Sequence, residues 1–458
     1  MTAVTPTQLR ARFAVILSGL YGREVPAYQT LVEVAHGVNA DVAASLGAAA
    51  ERLGSLDRVT AERHGAIRVG TPAEMAQVAR VFAAMGMHPT GYYDLRDASA
   101  SSVPVVSTAF RPVEEDELAA NPFRVFTSLL ASTDRRFFSP DLSARLQTFL
   151  ADRELFPPRL LSLADRAVAD GGLDEPAAVE FLDLAAQAFA LSTEPIDRAW
   201  YRELEQVSAV AADIGGVRST HINHLTPRVL DIDLLYARMG ERGITMIDAI
   251  QGPPRWPGPD VLLRQTSFKA LAEPRRFRDP DGGVSEGSLR VRFGEVEARG
   301  VALTRAGRAR YDEAVLELDG LGAEQAATVW ARYFPASEAE LFAAGLGVCT
   351  VTAVPDRTPD GRPPAGTVED LVRDGWLRAE PVVYEDFLPR SAAGIFQSNL
   401  TESGSKDTTA EGADLDAGWL EGVLERPLHD PFDLYAAQHR ASVVAALGRL
   451  GLPDPDPR

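Results

Sequence analysis

Glu62-Arg-His-Gly-Ala-Ile-Arg-Val69 and His221-Ile-Asn-His-Leu-Thr-Pro-Arg-Val229 are the two stretches on which the fold turns. Each is a β-prone run carrying a histidine, His64 or His224, with an arginine four residues later, Arg68 or Arg228. Side chains alternate across a strand, so residues an even number apart share a face. His64, Ala66 and Arg68 are therefore expected together on one face, and so are His224, Thr226 and Arg228. His221, three residues before His224, is expected on the opposite face, which removes a His-x-x-His pair on a single strand.

Working outward, each stretch leads into a helix. After the first, Thr71-Pro-Ala-Glu74 supplies an N-cap, a proline at the first helical position and a capping-box partner, and the helix should run to Met85 and stop at Gly86. Further β-like pieces follow at 91–94, 103–113 and 123–129. After the second stretch, itself strand-like over 222–231, a short helix precedes β-like pieces near 244–250, 261–270 and 289–304. Thr108-Ala-Phe-Arg111 in the first region matches Thr266-Ser-Phe-Lys269 in the second, and the spacings from His64 to Thr108 and from His224 to Thr266 are 44 and 42 residues. Two matches in the same order predict a duplicated β-α-β-β-β module whose sheets pair around a shared cleft, since repeats bury together what one copy cannot.

The rest of the chain surrounds these modules with helices. The expected class is α+β, a central sheet or half-barrel around a metal site with large helical additions. The expected divisions are N-terminal helices over 1–60, the first module over 61–135, a helical insertion over 136–215, the second module over 216–305 and a helical C-terminal region over 306–458. That last region has a Pro/Gly/Asp-rich loop at 355–366 and a polar loop at 403–414. Thr5, Pro6 and Gln8 make the N-terminal apolar run a capped helix rather than a signal peptide. The formal net charge of -19 argues against a nucleic-acid partner. No apolar stretch approaches the roughly 18 residues of a membrane span. Cys349 is the only cysteine, so neither a disulfide framework nor a thiolate cluster can form within the chain, and a cytoplasmic location is expected.

Phe293-Gly-Glu-Val-Glu-Ala-Arg299 puts Glu295 and Glu297 on one face of a strand. Two strand histidines and one strand carboxylate form the facial set used by non-haem Fe(II) oxygenases, which leaves coordination positions for a chelating substrate and dioxygen. Zinc and manganese accept the same donors, and alternation cannot separate Glu295 from Glu297. The bland alternative is that the histidines are hydrogen-bonded structural residues and that the glutamates pair with Arg292 and Arg299. Arg68 can lean back along its strand to meet a second carboxylate on a small acid.

Longer motifs carry a resemblance. Glu62–Arg68, His221–Arg228, Leu262-Leu-Arg-Gln-Thr-Ser-Phe-Lys-Ala-Leu271, Phe293–Gly300, Tyr384-Glu-Asp-Phe-Leu-Pro389 and Ser391-Ala-Ala-Gly-Ile-Phe-Gln-Ser-Asn-Leu400 resemble the 2-oxoadipate dioxygenase/decarboxylase family, a branch of the vicinal oxygen chelate superfamily. The resemblance implies Fe(II) held by His64, His224 and Glu295, and Arg68 as a contact to a substrate carboxylate. It also implies a substrate loop near 384–400 that touches the substrate through Arg390 and Ser391. The implied reaction converts 2-oxoadipate and O2 to 2-hydroxyglutarate and CO2, a step in lysine catabolism. Arg390 stands where the family has a small apolar residue, and Gln251 replaces a glutamate before Gly252-Pro253-Pro254. Gln265, Thr266, Lys269, Tyr384 and Glu297 are further candidates for groups around the metal and substrate. The rival expectations are a glyoxalase-like isomerase, an extradiol dioxygenase, and a non-catalytic protein that binds an acidic metabolite.

Overall fold

The computed structural model describes residues 3–52, 54–97, 103–290, 292–355, 363–388 and 406–454. In chain order the strands are β1 (Arg63–Val69), β2 (His88–Asp94), β3 (Val105–Arg111), β4 (Arg124–Leu130), β5 (Ile196–Asp197), β6 (His224–Pro227), β7 (Leu263–Ser267), β8 (Glu273–Arg278), β9 (Val284–Leu289), β10 (Glu295–Arg299), β11 (Cys349–Ala353) and β12 (Leu377–Pro381).

The first module forms as expected. The helix Pro72–Ala83 starts on the Thr71/Glu74 capping box and ends just before Gly86, whose φ of 66° suits a residue without Cβ. The sheet order is β2-β3-β4-β1-β6, with β1 parallel to β4 and antiparallel to β6. In the second module β10 pairs antiparallel with β7. A parallel bridge between Arg228 and Glu297, with the Val229 N–H donating to the Glu297 carbonyl at 2.8 Å, joins β6 to β10. Each module thus has its first strand parallel to its last and its last antiparallel to its third. The modules meet along β1 and β6, where Gly65 pairs with Leu225 at the centre of an approximate twofold.

The second copy is degenerate where its second strand should lie. The stretch expected as a strand over 244–250 contributes only isolated bridges, Met246 to Phe268 and Gln251 to Gln265. The strand expected over 222–231 is confined to four residues, because Pro227 has no N–H to extend a ladder and Asp231 caps the next helix, Ile232–Glu241. The hairpin β8–β9 and the pair β11–β12 are additions that the hydrophobic pattern does not announce; β9 alternates exposed and half-buried residues, so it has no apolar face.

The helix Pro6–Glu24 opens on the Thr5/Gln8 capping box. With the helix Pro26–Leu46 it packs on the sheet face opposite the histidines, whereas the helix Ala209–Gly215 brings Asp213 to Arg68 on the histidine side. One hydrophobic core runs from Val4 to Leu424 through both modules. No described helix is long and apolar enough to cross a membrane.

Candidate metal centre

Residues paired directly across strands share a face. The register therefore places His64, Ala66 and Arg68 of β1 with His224 and Thr226 of β6, with Arg124, Phe126 and Ser128 of β4, and with Ser107 of β3. Across the module boundary, Glu295 and Glu297 join this concave face, together with Ser267 and Gln265 of β7.

His64, His224 and Glu295 each offer one donor atom, and these atoms lie within 4.8 Å of one another. The two imidazole rings stand edge to face at 5.4 Å. His224 Nδ1 is 2.8 Å from Glu295 Oε1, and His64 Nε2 is 3.8 Å from Glu295 Oε2. All three side chains are buried, yet neither ring nitrogen of His224 has a well-formed hydrogen bond among the described residues. Buried polar atoms are ordinarily satisfied. An ion about 2.1 Å from each donor would set neighbouring donors about 3 Å apart, so the approach of His224 to Glu295 suits two ligands of one ion better than a hydrogen bond. Burial raises the Glu295 carboxyl, but His224 and His64 outweigh it and hold the group down at about 2. Burial lowers His224, which favours the neutral imidazole that coordinates; burial lowers His64 too, but Glu297 and Glu295 outweigh it and raise that group.

Glu297 has a different position. Its Oε2 lies 3.2 Å from His64 Nδ1, the nitrogen turned away from the cluster. Arg299 holds the same carboxylate with two hydrogen bonds of 2.7 and 3.0 Å. The contact with His64 is within ion-pair distance but is not a well-formed hydrogen bond, and it places Glu297 behind the His64 ring, where a carboxylate can orient a ligating imidazole. The structure thus separates the two glutamates that alternation left equal. Arg292 turns to Glu273 and Glu24, so it pairs with neither glutamate.

Comparison of the two modules shows why the first has no matching carboxylate among the described residues. Arg68 faces Ser128 and Arg228 bridges to Glu297, so the first module places Phe126 where the second has Glu295. Phe126 packs instead against Phe387 at 5.1 Å, and Phe387 meets the His64 ring edge to face at 5.0 Å. Residues 384–388 lie across the concave face. Arg58 and Arg124 bind Glu385, Arg111 binds Asp386 through two hydrogen bonds, and Tyr435 donates to Asp386.

The remaining expected residues divide. Arg68 is buried on the cluster's face and pairs with Asp213, to which Asn223 also donates at 2.9 Å. Its counterpart Arg228 pairs with Glu62 at 2.9 Å, within the ion network that includes Arg124 and Arg299. Gln265 faces Glu297 across β7 and β10. Thr266 pairs with Val296, so the same register turns it to the opposite face; adjacent strand residues cannot both look into the cleft. Lys269 is not brought to the cluster: it lies beyond β7 at the surface, 3.0 Å from Asp248. The Tyr384 hydroxyl donates to the Phe387 carbonyl at 2.8 Å and so braces the crossing segment. Arg390 and Ser391 lie outside the described residues.

His221 corrects the alternation argument. β6 begins only at His224, and the chain before it is irregular. A Cβ at Gly65 would meet Ile222 at 2.8 Å, so Ile222 packs on the face opposite His64, and His221 and Asn223 reach Asp213 on the Arg68 side. His221 is not in the donor group, but it stands beside Arg68's partner. Asp213 and Asn223 were missed as site residues. Asn223 lay within a quoted motif, whereas nothing marks Asp213 in an Ala-rich helix.

Fold and site together define a class: an α+β protein of paired β-α-β-β-β modules with one buried two-histidine, one-carboxylate centre suited to a divalent metal. The family model described as 2-oxoadipate dioxygenase/decarboxylase matches residues 13–399, and the chain belongs to that family. A 2-oxoadipate dioxygenase/decarboxylase of Mycobacterium tuberculosis is 59% identical over 430 residues, covering 94% of this chain and 96% of the relative. One from Pseudomonas putida is 41% identical over 469 residues, covering 98% of each. The crystal structure of the hydroxyglutarate synthase in complex with 2-oxoadipate from Pseudomonas putida aligns with a TM-score of 0.85 at 39% identity, covering 98% of this chain and 99% of that one.

Proposed function

We propose that this chain is a non-haem Fe(II) dioxygenase/decarboxylase that converts 2-oxoadipate and O2 to 2-hydroxyglutarate and CO2. The observation that carries the reading is the convergence of the His64, His224 and Glu295 donors within 4.8 Å on a buried face that also bears Arg68. The stoichiometry balances without a further reductant: the six-carbon oxo diacid loses one carbon as CO2, and both atoms of O2 end in the products. Iron(II), held by the two imidazoles and the carboxylate, supplies the chelation of a 2-oxo acid and the one-electron chemistry that O2 requires.

The protein's own residues have three tasks in this reading. Arg68 holds the distal carboxylate of the substrate and so fixes the direction in which its carbon chain lies over the centre. Glu297, braced by Arg299, keeps the His64 imidazole oriented. Phe387 and Phe126 form an apolar wall over His64 that keeps water from the reacting carbons. Ser391 and Arg390 are proposed as substrate contacts from the family pattern alone. With Cys349 the only cysteine, we take the enzyme to act in the cytoplasm, as a step in lysine breakdown.

The test is anaerobic reconstitution with Fe(II), followed by oxygen uptake and CO2 release across 2-oxo diacids of increasing length. One O2 consumed per CO2 released, greatest for 2-oxoadipate, is the expected result. Turnover without O2 would favour an isomerase, and tight diacid binding without turnover would favour a binding protein. In wild type and Arg68→Ala, a diacid and a monoacid of equal length should diverge, and equal loss of both would remove Arg68 from the distal carboxylate.

A further inference from the structure

Arg68 stands four residues from His64, in a polar cluster separate from the network around Glu62 and Glu385 that engages the other arginines of the cleft. Asp213, its partner, lies on the helix Ala209–Gly215, which Ser208 caps and which packs so closely that a Cβ at Gly215 would meet Leu146 at 2.5 Å. Its side chain is 4% exposed. Oδ2 accepts from Arg68 Nη1 and from Asn223 Nδ2, while His221 Nε2 lies 3.4 Å from Oδ1 and 3.1 Å from Asn223 Nδ2. Thr220 donates to the Arg68 carbonyl at 2.7 Å, so the arginine is tied to this segment at its backbone as well. A 570 Å³ cavity, lined in part by Arg218, Arg275 and Arg278, reaches His221 and Asp213 from the surface. The cluster therefore stands at the wall of a cavity that is partly cationic, although the chain as a whole is strongly acidic.

We infer that Asp213 is a positioning residue that sets the preference of this site for 2-oxo acids bearing a second carboxylate, by fixing the plane of the Arg68 guanidinium. The inference rests on the proposed role of Arg68. A paired Arg68 and Asp213 carry no net charge, so the pair cannot select a dianion by bulk attraction. It selects by direction: pinning one nitrogen of the rigid fork fixes where its other N–H bonds point. Asn223, donating to the same carboxylate at 2.9 Å, in turn helps to keep it from rotating.

The experiment compares 2-oxoadipate with 2-oxohexanoate, its six-carbon monoacid analogue, in the Fe(II)-loaded enzyme. Asp213→Asn keeps the shape and removes the charge. Its ratio of kcat/KM for diacid over monoacid should fall at least tenfold, mainly through a higher KM for the diacid, while the melting temperature shows the variant folded. A folded Asp213→Asn with a ratio within twofold of wild type overturns the inference. Should that variant fail to fold, Asn223→Ala, which leaves the ion pair and removes one of its supports, should lower the ratio about threefold; an unchanged ratio there overturns it equally. If the wild-type enzyme itself shows no preference for the diacid, the reading of Arg68 fails first.

Discussion

Glu297→Gln asks whether the second glutamate of β10 acts on the metal or only on the fold. The carboxylate is 1% exposed, lies 3.2 Å from His64 Nδ1 and takes two hydrogen bonds from Arg299. Glutamine keeps the shape and one acceptor but loses the charge and half of the bidentate pairing. Losing a supporting partner of a ligating histidine weakens metal binding about 10- to 100-fold, or about 1.4 to 2.8 kcal/mol. The weakened Arg299 pairing costs on the order of 1.5 to 3 kcal/mol of folding stability. The two effects separate in two assays: anaerobic Fe(II) titration against a competing chelator, and urea unfolding with the metal removed. Glu62→Gln is the matched control. Glu62 is equally buried and lies 3.5 Å from Arg299, but its direct hydrogen bonds come from Arg124 and Arg228. It should lose stability and keep metal affinity within about twofold. If Glu297→Gln also binds metal within twofold of wild type while its stability falls, Glu297 belongs to the ion network alone and its assignment to His64 is wrong.

Phe387→Ala should cost about 3 to 5 kcal/mol of stability, measured by denaturant unfolding, since the ring is buried against His64 and Phe126; less 2-hydroxyglutarate should also be formed per CO2 released as water reaches the cleft. Thr266→Val should leave kcat and KM unchanged and be neutral or slightly stabilising in thermal melts, because the threonine faces away from the cluster and its hydroxyl has no partner among the described residues. Lys269→Ala should be kinetically silent for a related reason, as its ammonium sits at the surface on Asp248. Chelation should abolish turnover, and oxygen-uptake assays should show Fe(II) restoring it better than Zn(II), which offers no redox chemistry.

The sequence by itself determined the duplication, the helix starts at Thr5 and Thr71, and the common face of His64 with Arg68. Each depends on local chemistry: a capping residue, a proline, or the two-residue period of a regular strand. It also brought Glu295 and Glu297 to one face without distinguishing them. Tertiary structure decided between them, because the distinction lies in what stands opposite: His224 for one, Arg299 and His64 Nδ1 for the other. It also decided that Thr266 looks outward, which depends on its register with Val296 and not on its kinship to Thr108. His221 was turned to the wrong side because alternation holds only while the strand is regular, and the ladder begins three residues later. Asp213 was invisible for a different physical reason. Its partner lies 145 residues away, and long-range pairing leaves no periodic trace in the chain.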